Sequence, residues 1–97
     1  MLFHITHHHD ETTCPAHDKD AGDASFGAVL ATLEANVEHV VGAWVDPPGH
    51  DFFFVVEADN AAKIFAGLWP IIPAGTAQVR PVNSLQTALE TADELRS

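Results

Sequence analysis

Basic residues are scarce in this chain. Four of them (Lys19, Lys63, Arg80, Arg96) stand against 14 Asp and Glu in 97 residues, for a formal net charge of −10. Phosphate backbones and anionic lipid headgroups are held by clustered Lys and Arg. Four scattered cations build no such cluster, so nucleic acid and membrane surfaces are poor partners. Cysteine is scarcer still: Cys14 stands alone, which excludes an intrachain disulfide framework and makes a reducing cytoplasm the default compartment. Long apolar runs are also missing. The longest, Val40–Val45 and Phe52–Val56, fall far short of the ~20 residues of a membrane span. No basic segment followed by an apolar run opens the chain, so it does not read as a signal peptide. There is no phosphate-binding glycine loop, no dinucleotide or flavin signature and no Ser/His/Asp order.

What is present supports a folded core. Hydrophobic residues make up 46% of the chain, well above the composition of disordered segments. The length suits one domain, residues 1–97, and is too short for two. A domain of this size buries a thin core, and oligomerisation is a common way to add burial.

Hydrophobic periodicity divides the chain into alternating strands and helices. Met1–His9 predicts a strand with Phe3, Ile5, His7 and His9 on one face and Leu2, His4, Thr6 and His8 on the other. Asp10–Asp23 is polar and reads as a loop. Phe26, Val29, Leu30, Leu33 and Val37 recur at helical spacing, predicting a helix over about 25–36, capped by Asp23 or Ser25. His39–Asp46 and Asp51–Ala58 predict two strands, apolar on both faces. Asp46-Pro47-Pro48-Gly49 turns between them, with Gly49 free to take a positive φ. Asp59 predicts the cap of a second helix over about 60–69, ended by Pro70. Thr76–Val82 predicts a fourth strand, and Pro81 favours an edge or a strand end. Ser84–Arg96 predicts a terminal helix with Leu85, Ala88, Leu89, Ala92 and Leu95 on one side, capped by Asn83 or Ser84.

That order is β-α-β-β-α-β-α. It predicts an α+β fold of ferredoxin-like βαββαβ type with a C-terminal helix, built on an antiparallel four-stranded sheet. One sheet face then needs cover, and a second copy of the chain is the simplest. The order and size resemble the dimeric α/β-barrel superfamily, in which two such subunits pack sheet to sheet. More narrowly, two stretches resemble small stand-alone members known only as a domain of unknown function. One is the opening strand ending in His9 and followed by Cys14-Pro15. The other is Gly49-His50-Asp51-Phe52-Phe53-Phe54-Val55-Val56-Glu57-Ala58-Asp59. The resemblance implies the fold and a homodimer. Members of the superfamily include isomerases, cyclases and monooxygenases, so it implies no single activity.

The sharpest chemical feature is His7, His9, Cys14 and His17. A His-x-His pair on a strand sends both imidazoles to one side about 6.5–7 Å apart. Cys14-x-x-His17 is a short chelating step in the loop that follows. Imidazole with thiolate suits zinc, copper or nickel. The plain alternative is a solvated strand end, and one cysteine does not make a zinc-ribbon pattern. His39, His50 and Glu57 are weaker candidates for proton transfer. In the plain reading His39 is a strand-end residue, His50 a turn residue, and Glu57 a carboxylate paired with Arg80. Trp44, Trp69 and Phe52–Phe54 are core or interface residues, or else line a pocket for a small apolar or aromatic ligand.

Three functions follow. The first is a metal-binding dimeric α/β-barrel protein acting on or sensing a small molecule. The second is a metal-free isomerase, cyclase or monooxygenase. The third is a non-catalytic binding module.

Overall fold

A computed structural model describes the whole chain, Met1–Ser97. Four strands, β1 (Leu2–His9), β2 (His39–Asp46), β3 (Asp51–Glu57) and β4 (Gly75–Val82), form one antiparallel sheet in the order β2-β3-β1-β4. This arrangement fits the ferredoxin-like α+β fold. Helices α2 (Phe26–Asn36) and α3 (Ala61–Leu68) lie against the sheet, with a 3-10 segment, Trp69–Ala74, leading into β4. Pro81 lies in β4, an edge strand, where its missing N–H costs no ladder bond.

The alternation in β1 sets the layers. Phe3, Ile5, His7 and His9 are buried toward the helices, while Leu2, His4, Thr6 and His8 face the other way. Phe54 and Val56 join them from β3, Val29 and Leu33 from α2, Ile64 and Leu68 from α3, and Ile71 from the 3-10 segment. Burying a side chain of this size stabilises the fold by about 1.5–3 kcal/mol. Helices α2 and α3 meet at Gly67, where a Cβ would lie 2.6 Å from Leu33 Cδ2 and 3.1 Å from its Cα. Asn60 and Ser84 cap α3 and α4 (Leu85–Arg96) by accepting from Lys63 N–H and Thr87 N–H.

The structure corrects several expectations. The Asp10–Asp23 stretch is not loop throughout: Lys19–Ala24 forms a short helix, α1, because Asp18 accepts from Ala21 N–H at its start. Asn60 rather than Asp59 caps α3, since Asp59 is drawn to Lys63. Ser25 stands at the start of α2 without a capping hydrogen bond. The β2 strand is not buried on both faces within one chain. It is the other edge strand, and Val41, Trp44 and Val45 are more than half exposed. Glu57 does not meet Arg80, because β1 lies between their strands. Glu57 accepts instead from the Met1 amino group, and Arg80 donates to Gln78.

The core is thin, with 14 of 97 residues buried. The radius of gyration is 15.5 Å, against about 12.5 Å for a compact domain of this length. Helix α4 accounts for the excess. It has no substantial packing against the other elements, and Leu85, Leu89 and Leu95 are exposed. No helix is long and apolar enough to cross a membrane.

Candidate metal centre

Three segments converge at the end of β1 that leads into the Asp10–Asp18 loop. The first is β1 itself, which delivers His9 on its buried face. The second is the β2–β3 turn. The β1–β3 register runs to His8 opposite Asp51, so His50 is the next rung opposite His9. The backbone confirms this, as His9 N–H donates to the His50 carbonyl at 3.1 Å. Opposed residues on antiparallel strands share a face, and the His9 Nε2 lies 3.2 Å from the His50 Nδ1.

The turn is unusual in where it takes its left-handed residue. Gly49 was expected there, yet no glycine has a positive φ, and His50 has φ 59°. Gly49 serves the turn in another way. The Asp46 carboxylate folds under it and accepts its N–H at 3.2 Å, so a Cβ on Gly49 would lie 2.4 Å from Asp46 Oδ2. A histidine held at positive φ carries roughly 1 kcal/mol of strain, a cost that gathers at functional sites.

The third segment is the loop. The Asp10 Oδ1 accepts from the Thr12 N–H and hydroxyl and from the Thr13 N–H, at 2.8, 2.6 and 3.1 Å. These bonds, the Thr12 hydroxyl first, hold the Asp10 carboxyl below its ordinary value. They turn the chain so that half-buried Cys14 comes back over the strand end. The ligand atoms of His9, Cys14 and His50 all lie within 4.8 Å of one another.

Burial holds the His9 imidazole below its ordinary value of 6.5, and the nearby His50 and His7 add to the effect. Its ring is boxed by Phe26 and Phe52, at centroid distances of 4.6 and 5.9 Å. A neutral imidazole is the form that can ligate a metal. Beside it, a cleft of about 290 Å³ is lined by His8, His9, Asp10, Thr13, Gly75 and Thr76 among others.

Of the four metal candidates read from the sequence, His9 and Cys14 are brought together, and His50 joins them. His7 lies outside the group. It is fully buried, and its Nε2 donates to the Ile71 carbonyl at 2.9 Å. Burial lowers its pKa as well, against the opposing pull of the Ile71 hydrogen bond. His17 is exposed and also lies outside the group. The proton-transfer candidates are split: His39 opposes Glu57 at one end of the hairpin, while His50 stands at the other, roughly 20 Å along β3. On the open sheet face His8 donates from Nδ1 to Asp51 Oδ1 at 2.8 Å, an exposed pair.

The aromatic candidates also separate. Trp44, Phe52 and Phe54 line a small cleft of about 170 Å³ whose lining is entirely apolar, with Phe26, Leu30 and Val45 among its walls. Trp69 is exposed on the far side of α3, stacked on Phe65 at 5.7 Å.

Comparison with curated proteins returns no match. A family model matches residues 1–96, and the chain therefore belongs to the family described as domain of unknown function DUF3303.

Proposed function

We propose that this protein binds a transition metal through His9, Cys14 and His50 and uses it to act on or sense a small molecule. The observation that carries this reading is the convergence of two imidazoles and a thiol from three separate segments, Cys14 and His50 standing 36 positions apart in the chain. Two nitrogens and a sulfur suit zinc, copper or nickel. The histidine nitrogens, 3.2 Å apart, are close to the ~3.5 Å that separates neighbouring ligands on a tetrahedral ion. Binding draws Cys14 in to complete the triangle. The strained His50 and the Asp10 turn both hold donors in place, which is what a preorganised centre requires.

Three protein ligands leave a fourth position, the usual arrangement where a metal does chemistry rather than only structural work. The 290 Å³ cleft beside His9 gives a small polar molecule or water room to reach it. A bound ion there would supply Lewis acidity or an activated water. The apolar cleft walled by Phe26 and Phe52 offers a seat for one small apolar or aromatic group close by.

The protein works as a homodimer in this reading. The exposed stripe of α4, the exposed apolar residues of β2 and the uncovered sheet face leave much apolar surface on a chain with a thin core. A second copy covers all three at once.

The test is metal content. The untagged protein, dialysed against a weak chelator, is predicted to retain close to one zinc, copper or nickel per chain by plasma mass spectrometry. The His9→Ala and Cys14→Ala variants lose it. No retained metal and no tight rebinding on titration defeats the reading.

A further inference from the structure

His7 is a buried imidazole that the metal reading leaves without a task, and its hydrogen bonding is incomplete. A carbonyl oxygen only accepts, so the bond to Ile71 O fixes the His7 proton on Nε2. Its Nδ1 is then a bare lone pair, fully buried and without a partner. An orphaned acceptor in a core costs about 1–3 kcal/mol, so its presence asks for a reason.

His9 has the matching gap. Its Nε2 faces His50, while its Nδ1 is buried and unpartnered. In the metal-free chain one proton is shared between His9 Nε2 and His50 Nδ1. A metal on Nε2 removes that proton and forces the neutral ring to carry its hydrogen on Nδ1. A buried donor then needs an acceptor. Among the buried side-chain atoms that lack a partner, His7 Nδ1 is the only other one. It sits two residues along the same strand face, with the ring centroids 6.3 Å apart. A ring nitrogen lies about 1.1 Å from its centroid, so the two nitrogens lie between about 4 and about 8.5 Å apart, a range that includes the roughly 5 Å spanned by one bridging water.

We propose that His7 is a positioning residue for this centre. It accepts, through one water, from the Nδ1–H of His9, so that Ile71 O, His7 and His9 form a chain that fixes the tautomer presenting Nε2 to the metal. Ligating histidines are commonly held this way, and loss of the outer partner costs 10–100-fold in metal affinity. The inference rests on the proposed metal site, and its failure is separable from that site's failure.

Two variants divide the functions of His7. In His7→Gln the side-chain N–H still reaches toward Ile71, but the acceptor at the Nδ1 position is gone. In His7→Asn a polar group remains at the Nδ1 position, but the Ile71 bond is gone. Zinc affinity, measured by chelator competition, is predicted to fall 10–100-fold in His7→Gln and less in His7→Asn. A purely structural His7 predicts the reverse order, and that order overturns the proposal, as does equal weakening. Nitrogen-15 spectra of the zinc-loaded wild type test the same point without any variant. The expected pattern is a proton on Nε2 of His7 and on Nδ1 of His9. A proton on Nδ1 of His7, or on Nε2 of His9, contradicts the proposal. If the wild type takes up no zinc, both readings fall. If it does and His7→Gln matches it, only this one falls.

Discussion

His9 and His50, 41 residues apart in sequence, place Nε2 and Nδ1 3.2 Å from each other because the β1–β3 ladder makes them opposite rungs. Two imidazoles at that distance share a hydrogen bond when no metal is bound and converge on an ion when one is. In the proposed reading the same pair stabilises the turn without metal and ligates once an ion is bound.

The backbone at His50 separates stability from binding. At φ 59° a glycine is relieved of strain that histidine bears. His50→Gly is predicted to keep the metal-free protein within about 1 kcal/mol of wild type by urea unfolding in chelator, the relief offsetting the lost hydrogen bond. His50→Val, β-branched at a positive φ, costs about 2 kcal/mol more than His50→Gly. Equal stabilities for the two variants contradict the turn geometry.

Gly75 opens β4 against the histidine strand. A Cβ there would lie 2.0 Å from the His8 carbonyl oxygen and 3.0 Å from His7 Cε1. The backbone oxygen cannot turn aside as a side chain would. Gly75→Ala is predicted to destabilise the fold by roughly 1–3 kcal/mol. A midpoint of denaturation unchanged from wild type shows that the β1–β4 register is wrong.

Lys63 donates to Asp59 at 3.0 Å and to Glu38, tying the start of β2 to the start of α3. Its hydrogen bond to Glu38 comes first in holding the Lys63 pKa above 10.5, and the bond from Lys63 comes first in holding the Asp59 pKa below 3.8. The signs set the pH window. The Asp59 contribution is complete above 3.8 and is lost as pH falls through its lower folded value. The Lys63 contribution is complete below 10.5 and is lost as pH rises through its higher folded value. Lys63→Met is predicted to lower the unfolding temperature modestly across neutral pH. That difference should shrink in about 1 M salt and vanish at low pH, where the carboxylates are protonated. A difference that persists in acid would assign the effect to the lysine stem instead.

The exposed apolar stripe of α4 sets a prediction for assembly. The wild type is expected to sediment as a dimer at micromolar concentration. Leu85→Lys with Leu89→Lys, both side chains more than half exposed in one chain, is expected to yield a monomer that keeps its secondary structure. A monomeric wild type contradicts the proposed homodimer.

The elements were largely legible in the sequence because their physics is local. Phe26, Val29 and Leu33 announce α2 by spacing alone, and Phe3, Ile5, His7 and His9 declare the buried face of β1. The pairing of His9 with His50 was not legible, because it depends on strand register, which no local pattern fixes. His17 looked stronger than His50 since it stands three residues from Cys14, yet nearness in sequence is not nearness across a loop. The readable signal was His50 sitting one residue before β3, beside a strand whose partner ends in His9. The fate of His7 depended on Ile71, contributed by a segment 64 residues away. Helix α1 escaped notice because six residues with no buried side chain leave no apolar period to read.

The proposed metal ligands are His9, Cys14 and His50. Zinc stoichiometry after chelator dialysis, compared between His50→Ala and His17→Ala, tests this assignment most directly. Close to one zinc per chain is expected in the wild type and in His17→Ala, and almost none in His50→Ala. Retention in His50→Ala, or loss in His17→Ala, would contradict it.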